Sequence, residues 1–207
     1  MKQPSHDSSI KINKQCKSLE TRLRRNVRPA LRPTICLPLA INLASSLLQL
    51  HTTPWLSETW CKNSIYFPLD NDDPYVTVDI DEHSHHSTSN LGNILNPYLV
   101  GLGIVLLELA EGKSMEEWMR ERAEISVQPS NITEKARIGS LWLRESQLAD
   151  RYKKYSEVVD LCLRCLFEPP PLNKSLEDES FQQIVYRDII SQLEQMYEMS
   201  ETPVAQK

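Results

Sequence analysis

Four groups of residues in this chain have types and spacings that chemistry can use. His83, His85 and His86 stand beside Asp81 and Glu82, a run of imidazoles and carboxylates that could ligate a metal and activate water. They sit in a polar stretch rich in Ser and His, where such side chains are ordinarily solvated. Cys162 and Cys165 have the C-x-x-C spacing of a zinc half-site, but fall inside an apolar helical stripe. There a cysteine packs as a small hydrophobe. Glu108 lies in the most apolar segment. It reads either as an acid with a raised pKa or as a partly buried, paired structural carboxylate, and the second reading is preferred. Ser45 and Ser46 near His51 lack the G-x-S-x-G turn that exposes a nucleophile, and a helix interior holds them away from it. No catalytic residue, metal ligand or cofactor site is assigned on these grounds.

The elements that must position these residues follow from periodicity. Leu39, Leu43, Leu47 and Leu50 recur at three and four residues, predicting a helix over about 32–51. Residues 64–67 and 75–78 are β-branched or aromatic and bounded by Pro and Asp, as short strands are. Asn96 and Pro97 form an N-cap and N1 pair, and Gly112 ends the apolar helix between them. Ser114 with Glu117, and Asn131 with Glu134, are spaced to cap two further helices. Tyr155, Val158, Val159, Cys162, Leu163 and Leu166 make another stripe, which Pro169, Pro170 and Pro171 are expected to stop. A last helix is predicted from near Ser175, with Phe181, Ile184, Val185, Ile189, Leu193 and Met196 on one face. The four tryptophans, Trp55, Trp60, Trp118 and Trp142, could line a pocket, but aromatics at helix ends usually pack. The expected fold is mainly α, five or six helices with at most a small β-hairpin.

The 207 residues suffice for one domain and a tail. Residues 1–30 read as a basic, disordered leader with a short helix around Ser18 to Arg25, 31–199 as the helical domain and 200–207 as a disordered tail. Residues 1–35 carry nine Lys/Arg against Asp7 and Glu20, while the remainder carries 14 against 26 acidic residues. A basic arm on an acidic body can seek nucleic acid or anionic lipid through residues 11–32. No apolar run spans a bilayer, and five irregularly spaced cysteines fit a reducing, intracellular compartment, cytoplasmic or nuclear. Neither G-x-x-x-x-G-K-[ST] nor G-x-G-x-x-G occurs.

Residues 96–112 (NPYLVGLGIVLLELAEG) resemble the buried central helix of a protein kinase C-lobe, and residues 39–51 resemble the helix that leads into the kinase catalytic loop. In that register Ser57, Glu58 and Thr59 stand where His-Arg-Asp would be, and Ser64 stands where the metal-binding Asn would be. No Asp-Phe-Gly occurs, and too few residues precede position 35 to form an N-lobe. Phosphoryl transfer depends on a carboxylate, bound metal ions and fixed geometry, which Thr59 and Ser64 do not supply. More specifically, the chain resembles a fungal family of unknown function with a degenerate kinase-like domain, often behind a helical segment of the HeLo or prion-inhibition type. The resemblance rests on residues 43–56 with Trp60 and 65–67, residues 102–109, 159–165, and 178–181 with 185–186. It implies a degenerate kinase C-lobe-like fold without an N-lobe, no use of ATP, and no catalysis.

The function expected is therefore a non-catalytic, pseudokinase-like protein-interaction module, tied by the resemblance to fungal self/non-self recognition or signalling. Without an N-lobe, the surface around His51, Trp55 and Trp60 would need covering by a protein partner or a second copy. The alternatives are an anionic-lipid or nucleic-acid binder acting through the basic arm, and a metal-dependent enzyme using the loop at His83 and His86.

Overall fold

The computed structural model describes residues 16–24, 33–53, 56, 60–68, 75–76, 95–122 and 129–201. The fold is mainly α. Strand β1 (Cys16–Ser18) runs into helix α1 (Leu19–Arg24), followed by the long α2 (Pro33–Leu50). Then come β2 (Ile65–Pro68), β3 (Tyr75–Val76) and α3 (Pro97–Glu111). Helices α4 (Met115–Arg120), α5 (Ile132–Glu145), α6 (Leu148–Arg151) and α7 (Lys153–Arg164) continue the chain. Helix α8 (Glu179–Val185) joins α9 (Ser191–Glu201) through a π turn at Tyr186–Ile190.

The centre is α3, for the reason its composition gives. It is apolar on every side, and ten of its residues, Glu108 among them, are buried. Asn96 Oδ1 accepts the Leu99 N–H at 3.1 Å, and Pro97 at N1 needs no partner for an N–H it lacks. At the other end Gly112 turns left-handed (φ 67°) and returns its N–H to Glu108 O. Around α3 pack α7, α5 and α2, while α2 also packs against α9. Gly103 makes the α3–α7 contact close, since a Cβ there would stand 2.9 Å from Cys162 Cβ. The C-x-x-C pair thus belongs to the core: both sulfurs are buried, and Cys165 Sγ accepts the Asn96 N–H at 3.3 Å. Burial pushes both thiols up, Cys162 well above its ordinary value.

Several expectations need correction. The leader 1–30 is not wholly without structure. Strand β1 pairs antiparallel with β2, setting Lys17 opposite Phe67, and Leu19 is buried in the core. One apolar residue beside a strand is too short a pattern for periodicity to flag. The hairpin of β2 and β3 is accordingly a three-stranded sheet in the order β1-β2-β3. Helix α1 falls where a helix was expected around Ser18 to Arg25, whereas the short α6 was not foreseen. Helix α7 ends at Arg164, with Cys165 in the left-handed conformation (φ 51°), so the prolines that follow do not stop it. The Glu168–Pro169 peptide is cis. The last helix begins at Glu179 rather than near Ser175, because Asp178 Oδ1 caps it by accepting the Ser180 and Phe181 N–H groups. Its far end continues to Glu201, past the boundary expected at 199.

Candidate functional site

Residues 60–64 lead from the loop after α2 into β2, and they fold as a fastening. A 3₁₀ turn, Lys62–Ser64, leads into β2, with Ser64 N–H bonded to Cys61 O at 2.9 Å. The turn aims Lys62 inward. Its Nζ donates to Glu108 Oε1 on α3 at 2.7 Å and to Glu116 Oε2 in the first turn of α4 at 2.6 Å. Glu108 Oε1 also accepts the Met115 N–H at 2.9 Å, one of the donors that the start of α4 cannot satisfy within the helix. Ser114 Oγ caps the same end by accepting the Glu117 N–H. One ammonium thus ties a loop and two helices together.

Burial decides the electrostatics. The Lys62 side chain is 7% exposed and that of Glu108 1%, while that of Glu116 is 41% exposed. Burial alone would pull the Lys62 ammonium down. The charges and hydrogen bonds of Glu108 and Glu116 outweigh it and hold the pKa above the usual lysine value. Burial pushes the Glu108 carboxyl up, against the opposing pull of Lys62 and the Met115 amide. Glu116 is also desolvated, but the Lys62 hydrogen bond and charge bring it below the usual carboxylate range. A lysine that binds its proton this firmly is a poor base and a poor nucleophile.

The cluster borders a cleft of about 150 Å³, lined among others by Trp60, Lys62, Gly101, Glu108, Glu116 and Lys135. Trp60 is buried, and a Cβ on Gly101 would meet its Nε1 at 3.1 Å. Trp60 Nε1, Glu108 Oε2 and His51 Nε2 are buried without a hydrogen-bond partner. His51 Nδ1 donates to Leu48 O at 2.9 Å.

Of the sequence-predicted residues, Glu108 is paired, as preferred above, and wholly buried. His51 and Trp60 do not form the open partner surface expected of them, because both are buried within the chain itself. Trp55, Ser57, Glu58 and Thr59 lie outside the described residues, as does the loop with His83, His85 and His86. Ser64 is half-buried at the end of the 3₁₀ turn. Of the basic stretch 11–32, only 16–24 are described. No group of three or more potential metal ligands occurs among the described residues, and no helix among them is long and apolar enough to cross a membrane. Lys62 and Glu116 were not singled out from the sequence. A lysine between Cys61 and Asn63 carries no periodic mark, and Glu116 reads as an ordinary first-turn acid.

No curated protein and no solved structure matches the chain. Residues 4–200 match a family described as Domain of unknown function (DUF7580), a match that takes in the Lys62 cluster and every helix around it. With nearly its whole length covered, the chain belongs to that family.

Proposed function

We propose that this chain is a non-catalytic scaffold of kinase-like ancestry that acts by holding another protein or a second copy of itself. The observation that carries the first half is the engagement of residues 60–64. Where a kinase would present groups to nucleotide and metal, this chain turns Lys62 inward onto Glu108 and Glu116 and buries Trp60 against α3. Groups committed to internal ion pairs are not poised to neutralise a transferring phosphoryl group. Contact as the mode of action is supported by large apolar side chains exposed in the C-terminal half: Leu166, Leu172, Tyr186 and Met199 are each more than half exposed. The resemblance to fungal kinase-like proteins suggests a role in self/non-self recognition or signalling.

The test is phosphotransfer and nucleotide binding by the purified full chain with MgATP. The expected result is no transfer above a heat-killed control and no shift in melting temperature. Transfer that survives repurification and is lost in Lys62→Met would overturn the reading.

A further inference from the structure

The cleft beside Lys62 has a floor that is polar at its ends and apolar between them. Gly101, Ile104, Val105 and Glu108 follow one another at the spacing of a single helix face, and all four border the cleft from α3. At one end the Trp60 indole lies against Gly101, where a Cβ would stand 3.1 Å from Nε1. Glu108 comes two helical turns later, about 10 Å along the axis. Ile104 and Val105 lie between these ends, and Met115 and Ile132 add to the apolar lining.

Three groups around this cleft lack a counterpart. Trp60 Nε1 is a donor and Glu108 Oε2 an acceptor, and each is buried without a hydrogen-bond partner. Such atoms are exceptions in a folded chain, since leaving them unpaired costs stability. The third is Lys135, half-buried on α5, which borders the same cleft. Among the described residues no carboxylate forms an ion pair with it. Glu108 and Glu116, by contrast, share the single ammonium of Lys62, which leaves one negative charge in excess. The cleft thus holds an unbalanced negative charge and an unbalanced positive one, and its four ionised side chains sum to zero.

We propose that this cleft binds a small linear zwitterion, an ω-amino acid whose ammonium and carboxylate are joined by a short aliphatic chain. The ammonium donates to Glu108 Oε2 and to Glu116, whose side chain is 41% exposed. The aliphatic chain lies over Ile104 and Val105. The carboxylate accepts the Trp60 indole N–H and pairs with Lys135. A volume of about 150 Å³ suits a ligand of roughly six to nine heavy atoms, since a cavity of that size admits benzene. An α-amino acid holds its charges too close together to reach both ends, and a simple amine or fatty acid answers only one of them. The buried atoms are met through small side-chain rotations, which commonly accompany binding. The inference concerns the same region as the non-catalytic reading but does not depend on it, because the ligand is neither nucleotide nor metal.

The experiment titrates the isotope-labelled full chain with 5-aminopentanoate and follows the indole N–H resonances of the four tryptophans together with the backbone amides. A saturable shift of the Trp60 indole and of amides in 101–108 is expected, with a Kd of about 1 mM or tighter. Pentanoate and pentylamine, which carry one charge each, and the α-amino acid norvaline are expected to bind about tenfold or more weakly, because each loses a charge-assisted contact. This comparison is made on the parent chain and so requires no variant to fold. Lys135→Ala has no ion pair to lose and is expected to keep the parent melting temperature while weakening 5-aminopentanoate about tenfold. Lys153→Ala, at a side chain 84% exposed on α7, is expected to bind as the parent does. Absence of a saturable shift, equal affinity for the singly charged compounds, or binding untouched by Lys135→Ala overturns the proposal. Phosphotransfer from MgATP would instead overturn the non-catalytic reading and leave this one standing.

Discussion

Lys62 is shared by two carboxylates, and removing it would leave Glu108 charged in the core. Lys62→Met is therefore expected to cost about 3–5 kcal/mol, most of it the penalty of the orphaned Glu108 rather than the worth of the pair. Adding Glu108→Leu is expected to recover much of the loss, because the buried charge is then gone. Urea denaturation of the single and double variants measures both, and an unchanged midpoint for Lys62→Met would show that the ammonium is not buried. Lys62 also shapes the alkaline behaviour, together with two buried groups of the core. The ordinary values are 9.0 for Cys162, 10.0 for Tyr155 and 10.5 for Lys62, and all three are raised in the folded chain. Above each ordinary value the unfolded chain releases a proton that the folded chain keeps, so it binds fewer protons and stability falls as pH rises. The melting temperature is expected to begin falling near pH 9 and to drop more steeply above pH 10.5. A flat profile to pH 11 would count against the buried placement of these groups.

The interleaving of the N-terminal segment with the hairpin is the element-scale surprise. Leu19→Ala is expected to cost about 2–5 kcal/mol, as for other buried leucines. Removing residues 1–24 would uncover the β2 edge as well, and is expected to lower the melting temperature further. Full retention of cooperative melting after that deletion would show that β1 and α1 are dispensable. Helices with long stripes or strong caps were legible in the sequence, α3 above all, since Asn96, Pro97 and Gly112 each satisfy a local rule. Of residues 16–24 the helix was legible, but strand β1 and the burial of Leu19 were not, because they become ordered only through pairing with a segment some 50 positions away. The π turn in the last helix belongs with this group. Its stripe advances by four residues from Phe181 to Val185 to Ile189, and by five from Val185 to Ile190. A widened turn keeps Ile189 and Ile190 both inward, where a regular helix would rotate the stripe off the core. The site itself was half legible: Glu108 stood out for its setting, whereas its partner Lys62 comes from a loop whose inward direction only the fold decides.

At the scale of the molecule, the helices around α3 meet through side chains that admit little change of spacing. Gly103→Leu is expected to overpack the α3–α7 contact and cost about 1–3 kcal/mol or more. An unchanged melting temperature would mean that α3 and α7 are further apart than described. Among the described residues the large exposed apolar side chains, Leu166, Leu172, Tyr186 and Met199, all come from the C-terminal half of the chain.

Leu163 occupies a socket made from two glycines on different helices. A Cβ on Gly103 would approach its Cδ2 to 3.1 Å, and one on Gly139 to 2.8 Å. Two helices therefore depend on the size of one side chain on a third. Over evolutionary time these positions are not free to drift singly. Among relatives of this chain, Ala or Ser at 103 or 139 is expected to accompany Val or Ala at 163, and a bulky residue at all three is expected never to occur. The family's own record of substitutions would thus hold a signature of this three-helix junction, readable from sequences alone.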